Sequence, residues 1–117
     1  MANAVTHFEV LGADAGALQR FYGEAFGWQM QDVMDGSYYM INPGQGINGG
    51  VGAAPPGAAG HVTFYVEVDD PAAALEQISQ LGGSTVQAPM DVPGGPTIAL
   101  FADPEGHVVG LVKRAAG

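Results

Sequence analysis

Two histidines and a glutamate are the side chains of this chain best suited to acid–base or metal chemistry. His7 and Glu9 stand two residues apart in "HFEV", so on an extended strand both side chains point to the same face. His61 opens a second such segment, "HVTFYVEV". Two imidazoles and one carboxylate can hold non-haem iron or another divalent ion. His7 and Glu9 are also the candidates for catalysis as general acid and base. The third histidine, His107, follows the turn "DPEG", where we expect an ordinary surface residue.

Composition removes several other kinds of chemistry. The 117 residues contain no cysteine, which excludes disulfides, thiolate nucleophiles and cysteine-based zinc sites. Twelve acidic against three basic residues give a formal charge of −9, which repels phosphate backbones and disfavours nucleic-acid partners. Apolar runs are too short to cross a bilayer, and the first ten residues lack the pattern of a secretory signal. We therefore expect a cytoplasmic protein without membrane contact.

The elements that must position these residues occur twice along the chain. Each half reads strand, helix and three further strands: first "THFEVL", "AGALQRFYGEAFG", "WQMQDV", "SYYMIN" and "GINGGV", then "HVTFYVEV", "PAAALEQISQLGG", "STVQAP", "TIALFA" and "HVVGLV". The segment "GAAPPGAAG" between them is typical of a proline-stiffened connector. Length predicts a single domain over 1–117, with module one at about 1–56 and module two at about 60–117.

Both helices carry a start signal and an apolar stripe. Asp14 and Asp70 precede the helices as N-caps, Pro71 takes the first position of the second helix, and Gly82 follows its end. The apolar residues at helical spacing, which we expect to be buried, are Leu18, Phe21, Tyr22 and Ala25 in the first helix and Ala74, Leu75, Ile78 and Leu81 in the second.

The first strand of each half separates apolar from polar positions. In "HFEV", Phe8 and Val10 oppose His7 and Glu9. In "HVTFYVEV", the face expected to pack under a helix holds Val62, Phe64, Val66 and Val68, and the opposite face holds His61, Thr63, Tyr65 and Glu67. If the halves pack symmetrically, the polar faces could look into a shared concave space.

The motifs "HFEV...DAGALQRFYGEAFGW", "HVTFYVEVDDPAAALEQISQLGG" and "FADPEGHVVGLV" together resemble the vicinal oxygen chelate superfamily, also called the glyoxalase/bleomycin resistance/dioxygenase group, and in particular its glyoxalase-like branch. The resemblance covers nearly the whole chain. It implies an α+β fold in which two βαβββ modules form a curved, incompletely closed mixed β-barrel, with helices outside and a ligand cleft inside. It also implies a homodimer.

The same resemblance implies where metal-dependent members would carry their four ligands. His7 matches the first-strand histidine, whereas the second-module histidine position holds Thr63. The first carboxylate position falls on Asn48 or Gly49, and the last falls on Gly110. Because one ligand of four is retained, we expect no metal cofactor. The alternative is a shifted divalent-metal site of His7, Glu9 and His61, serving a lyase, isomerase or dioxygenase.

Without that metal, the sequence favours a glyoxalase-like protein that binds a small apolar or aromatic metabolite in an aromatic-lined cleft. Whether it also catalyses a reaction stays open. The candidate ligand-binding residues are Trp28, Tyr38, Met40, Asn48, Thr63, Tyr65, Phe101 and Gly110.

Overall fold

The computed structural model describes residues 2–115, which form two compact units. The first unit comprises residues 6–63, and the second comprises residues 2–5 together with 64–115. Neither helix in the described part of the chain is long and apolar enough to span a membrane.

The order of elements is strand, helix and three strands, repeated once, which confirms the α+β fold with two βαβββ modules. Module one consists of β1 (Val5–Gly12), α1 (Ala15–Phe26), β2 (Gln29–Asp32), β3 (Tyr38–Asn42) and β4 (Gly49–Ala53). Module two consists of β5 (His61–Val68), α2 (Pro71–Gln80), β6 (Ser84–Asp91), β7 (Thr97–Ala102) and β8 (Val108–Lys113). The boundary between the two units lies inside β5, so His61 and Thr63 belong to the first unit.

The two modules use the same strand pairings. In module one the strand order is β2-β3-β4-β1, with β1 and β4 parallel and the other neighbours antiparallel. In module two the order is β5-β8-β7-β6, again with one parallel pair, β5 and β8. Last strands therefore lie beside first strands, which brings "GGVG" of β4 next to "HFEV" of β1.

Both helices begin at the predicted aspartates. The side chain of Asp14 accepts a hydrogen bond from the Ala17 amide at 2.9 Å, and that of Asp70 accepts from the Ala72 and Ala73 amides at 3.0 and 3.2 Å. Pro71 occupies the first turn of α2, as its missing N–H favours. Gly82 follows the end of α2 with a positive φ of 103°.

Each helix packs on one face of the strands of its own module. Under α1, Val10, Ile41 and Val51 are buried, and Leu18 and Tyr22 of the helix pack on them. The cluster under α2 is formed by Val66, Val68, Ala74, Leu75, Ile78, Ala99, Phe101 and Leu111.

The apolar stripes are narrower than predicted. Phe21 is 62% exposed, because the contact of α1 with the sheet runs through Leu18 and Tyr22 and leaves position 21 on the helix flank. Ala25, in the next turn, is exposed as well. Leu81 is 72% exposed, because α2 ends at Gln80 and Leu81 caps it. Of the eight helix residues expected to be buried, these three are exposed, and the other five lie in the clusters or are at least half-buried.

The apolar face of β5 is also covered over only part of its length. Val66 and Val68 pack against the α2 cluster, but Val62 is 73% and Phe64 43% exposed. The prediction that this whole face is core was wrong for the first half of the strand. The alternation of apolar and polar residues identified the two faces of β5 correctly. It could not show how much of the strand a ten-residue helix covers.

Candidate functional site

Four polar side chains of the first unit lie in a row on the sheet face opposite α1. The Tyr38 hydroxyl donates to Glu9 Oε2 over 3.0 Å, and its oxygen lies 3.2 Å from His7 Nε2. Glu9 Oε1 lies 3.6 Å from His61 Nε2. We call His7, Glu9, Tyr38 and His61 the Tyr38 cluster. It brings together the two catalytic candidates, one predicted ligand-binding residue and the second histidine.

The backbone register explains how Tyr38 reaches across the sheet. Glu9 of β1 stands opposite Gly50 of β4, and Tyr38 of β3 stands opposite Gly52 of β4. A Cβ atom at Gly50 would lie 1.8 Å from the Tyr38 hydroxyl oxygen, and one at Gly52 would lie 2.4 Å from Tyr38 Cδ1. The ring therefore occupies the space that side chains on β4 would fill. Two glycines in alternation allow Tyr38 to span β4 and bond Glu9.

The protonation of His7 follows from this arrangement. Burial lowers the pKa of His7, and the charge of Glu9 opposes that effect only in part. The imidazole is therefore neutral at pH 7. Because the single proton of Tyr38 goes to Glu9, the Nε2 atom of His7 must carry the hydrogen that it shares with Tyr38. The tautomer of His7 is thus set by Tyr38 and Glu9.

Glu9 and His61 each bring a buried polar atom to the cluster. Glu9 is only 9% exposed, an unusual position for a carboxylate, and the Tyr38 hydrogen bond offsets part of its desolvation. The Nε2 atom of His61 is also buried, and it has no hydrogen-bond partner among residues 2–115. Buried polar atoms are usually satisfied, so this nitrogen calls for a functional explanation.

A glycine also makes room for a tyrosine ring at the corresponding position of module two. Gly110 of β8 stands opposite Tyr65 of β5, and a Cβ atom at Gly110 would lie 2.3 Å from Tyr65 Cδ2. Tyr65 is 7% exposed, so its ring is buried where it covers Gly110 and would have to shift within the interior. The position where the resemblance implies the last carboxylate therefore has no room for a side chain.

The first carboxylate position looks different in the structure than in the sequence. Asn48 precedes β4 and is exposed, and Gly49 faces the helix side, where a Cβ would meet the Phe8 ring at 2.5 Å. The residue of β4 that stands opposite Glu9 is Gly50. Sequence reasoning did not single out Gly50 or Gly52, although the run "GGVG" one strand after "SYYMIN" was a usable signal.

The remaining predicted ligand-binding residues fall on both sides of their sheets. Trp28 stacks on Tyr22 with ring centroids 5.9 Å apart and packs in the cluster under α1, away from the Tyr38 cluster. Phe101 packs in the cluster under α2. Met40 stands opposite Gly50 and is partly exposed on the Tyr38 side. Thr63 is buried, two residues after His61 and on the same face of β5.

The alternative metal ligands are neighbours, but Tyr38 stands among them. Within residues 2–115 no group of three or more His, Cys, Asp or Glu side chains has an arrangement that could hold a metal ion. His7 reaches Glu9 through the Tyr38 hydroxyl, whereas His61 approaches the other oxygen of Glu9. The three side chains as placed do not converge on one point.

Comparison with known proteins agrees with the fold and the motifs. Residues 4–111 match the sequence profile of the Glyoxalase/Bleomycin resistance protein/Dioxygenase superfamily. The chain belongs to this superfamily. The predicted family is therefore confirmed.

Individual relatives of this superfamily member are distant. A protein of Mycobacterium bovis named "Putative glyoxylase CFP32" is 30% identical over 80 residues, which are 68% of this chain but only 31% of that protein's length. Methylmalonyl-CoA epimerase from Mycobacterium tuberculosis has a similar structure, with a TM-score of 0.70, 15% identity and coverage of 96% of this chain and 88% of its own. A Mn(II)-bound glyoxalase from Novosphingobium aromaticivorans gives a TM-score of 0.65 at 16% identity, over 99% of this chain and 44% of its own. At such identities the two structures show a shared fold alone.

Proposed function

We propose that this superfamily member binds a small apolar or aromatic metabolite at the Tyr38 cluster, without the metal ion that the resemblance implies for metal-dependent members. The observation that carries the proposal is the tyrosine ring over Gly110. A carboxylate cannot be placed there unless Tyr65 moves. The last carboxylate of the implied ligand set is absent, and its space is filled.

The surroundings of the Tyr38 cluster suit a small ligand with one polar group. The ring of Tyr38 fills the space beside two glycines, and Met40 on the same face of β3 offers an adaptable apolar contact. Buried hydrogen-bonding atoms of Glu9 and His61 stand next to this apolar surface. Ligand sites commonly combine apolar contacts with a few fixed polar groups.

Metal analysis with ligand screening tests the proposal. We expect the purified protein to contain no stoichiometric metal and to show no thermal shift with nickel, zinc, manganese or iron(II). We expect a small-molecule panel to include compounds that raise the melting temperature, and Tyr38→Ala to remove their effect. Tyr39→Phe is the matched control, because Tyr39 packs on the other side of the sheet, in the cluster under α1. Stoichiometric metal that is lost in His7→Ala or His61→Ala would overturn the proposal.

A second candidate is a divalent-metal enzyme that uses His7, Glu9 and His61. It is favoured by the position of His61 Nε2, which is buried 3.6 Å from Glu9 Oε1 and has no hydrogen-bond partner within residues 2–115. A cation bound there would polarise a carbonyl or enediolate oxygen of a substrate. Convergence of the three ligands would require Tyr38 to give up its hydrogen bond to Glu9. Metal-dependent loss of the Tyr38–Glu9 hydrogen bond, observed by NMR, would support this candidate over the first.

We also propose a homodimer, for which the family resemblance is the only support. Sedimentation that gives a monomer of 11.9 kDa at micromolar concentration would contradict it.

A further inference from the structure

The C-terminal half of α1 carries an aromatic surface that the strands of module one leave uncovered. Phe21 is 62% and Phe26 60% exposed. The ring of Phe21 meets Tyr22 edge-on with centroids 5.1 Å apart, and the ring of Phe26 lies 5.1 Å from that of Trp28. We call Phe21, Tyr22, Phe26 and Trp28 the α1 patch. Single exposed apolar side chains are common on protein surfaces, whereas a contiguous exposed group is typical of an interaction site.

Two charged residues flank Phe21 on the same helix. Arg20 precedes Phe21 and Glu24 follows it by three residues, and both are exposed. Among residues 2–115 neither of them takes part in an ion pair. Arg20 is also the only basic residue in the sequence between positions 6 and 63. The edge of the α1 patch therefore presents one positive and one negative charge that a partner can pair.

The order of residues along α1 makes this surface complementary to a second copy of itself. When two α1 helices pack antiparallel with their midpoints at Tyr22, residues equally far from Tyr22 in opposite directions lie at the same level. Arg20 is then level with Glu24 of the second copy, and Leu18 is level with Phe26 of the second copy. Two-fold symmetry repeats each pair, so opposite charges meet twice.

Charge complementarity distinguishes this arrangement from its alternatives. A parallel contact would set Arg20 beside Arg20 and Glu24 beside Glu24, and like charges across an interface are unfavourable. A second copy carries the same formal charge of −9, which opposes association over the surface as a whole. The two reciprocal Arg20–Glu24 pairs offset that repulsion where the copies meet.

We propose that the α1 patch is the contact surface of a homodimer in which the two α1 helices pack antiparallel. The inference takes the homodimer proposed above as its premise and names the surface through which it forms. Phe21 and Phe26 contribute the apolar centre of the contact, and Arg20 and Glu24 contribute rim pairs that set its direction.

Charge reversal and its reciprocal repair test the arrangement on the intact chain. Arg20→Glu sets two carboxylates beside each other in both pairs, and adding Glu24→Arg restores both pairs with the signs exchanged. Sedimentation equilibrium at micromolar concentration should give a dimer for the wild type. We expect a dissociation constant about tenfold larger for Arg20→Glu and within about threefold of the wild type for the double variant.

Lys113→Glu is the matched control for the charge variants. It changes the net charge by the same amount as Arg20→Glu, at an exposed residue of module two. The dissociation constant should stay within about threefold of the wild type, because the change adds general repulsion but breaks no pair at the contact.

Removal of the exposed rings tests the centre of the contact. Phe21→Ser combined with Phe26→Ser should weaken the dimer about 100-fold, because each aromatic side chain lost from the centre of an interface costs about tenfold or more. Leu81→Ser is the control, since Leu81 is 72% exposed at the end of α2. Far-UV circular dichroism checks that each variant is folded, and the charge variants decide the question should the double serine variant unfold.

Each unfavourable outcome has a distinct meaning. A dimer that Arg20→Glu does not weaken, that Glu24→Arg does not restore, or that persists without the two phenylalanines would overturn the antiparallel α1 contact and leave a homodimer through another surface. A wild-type monomer of 11.9 kDa at micromolar concentration would overturn both the contact and the homodimer. Ligand binding at the Tyr38 cluster is tested separately by the small-molecule panel.

Discussion

Gly50→Ala is predicted to break the Tyr38 cluster although it replaces none of the four residues that form it. The new Cβ atom would lie 1.8 Å from the Tyr38 hydroxyl oxygen and 2.2 Å from Cζ, far inside contact distance, so the ring must leave. Glu9 then loses the hydrogen bond that it receives at 3.0 Å. A hydrogen bond to a charged group contributes about 1.5–3 kcal/mol. Alanine returns about 0.5 kcal/mol by restricting the unfolded chain. We expect a net destabilisation of about 1–2.5 kcal/mol.

Urea unfolding followed by circular dichroism measures this loss, and a double-mutant cycle assigns its cause. In a Tyr38→Ala background the ring is absent, so Gly50→Ala should cost almost nothing. Gly23→Ala is the control, because Gly23 lies inside α1 and a Cβ there meets no atom closer than 3.6 Å. That change should stabilise the protein by about 0.5–1 kcal/mol. An undiminished cost of Gly50→Ala without Tyr38, or no cost with it, would refute the reasoning.

Three further predictions use the same structure. Gly110→Ala should destabilise by about 1–3 kcal/mol in urea unfolding, since the buried ring of Tyr65 lies 2.3 Å from the new Cβ and must be displaced within the interior. Burial lowers the pKa of His7 in the folded protein, so the unfolded chain binds more protons than the folded one as the pH falls below the ordinary value of 6.5. The urea midpoint should therefore fall as the pH drops from 6.5. It should fall less in His7→Gln, which has no imidazole to protonate. Backbone and side-chain hydrogen bonds from His107, with one from the Glu105 amide, hold the pKa of Asp103 below its usual value of 3.8. Stability that this turn contributes is present above that value and is lost on further acidification, and Asp103→Ala should speed amide hydrogen exchange at His107 even at neutral pH.

The sequence predicted the repeated βαβββ order and the helix starts because each depends on local signals. Asp14, Asp70 and Pro71 act within one helical turn, and strand alternation is a property of neighbouring residues. Burial was predicted less well because it depends on which element covers which. Val62 and Val66 have the same chemistry and lie on one face of β5, yet one is 73% exposed and the other packs against the α2 cluster.

The candidate site was predicted in part. His7 and Glu9 share a face by alternation alone, and the structure places them together with Tyr38. The bond between Tyr38 and Glu9 depends instead on the pairing of three strands and on two glycines in the middle strand. The register between strands that are distant in the sequence cannot be read from the type of either residue. Trp28 is the opposite case: its residue type suits a ligand site, but it lies just before β2 and packs in the cluster under α1.

The matching registers of the two modules explain why a carboxylate beside the last-strand glycine occurs in module one and not in module two. Gly50 stands opposite Glu9, and Gly110 stands opposite Tyr65, so Glu9 and Tyr65 occupy equivalent places. In module one the glycine is covered from the third strand by Tyr38, which leaves the first strand free to carry a carboxylate. In module two the first-strand residue is itself the tyrosine that covers the glycine, and the third-strand position that matches Tyr38 holds Ile98. A carboxylate at Gly110 therefore needs Tyr65 removed as well, and Gly110→Glu should be tolerated far better together with Tyr65→Ala than alone.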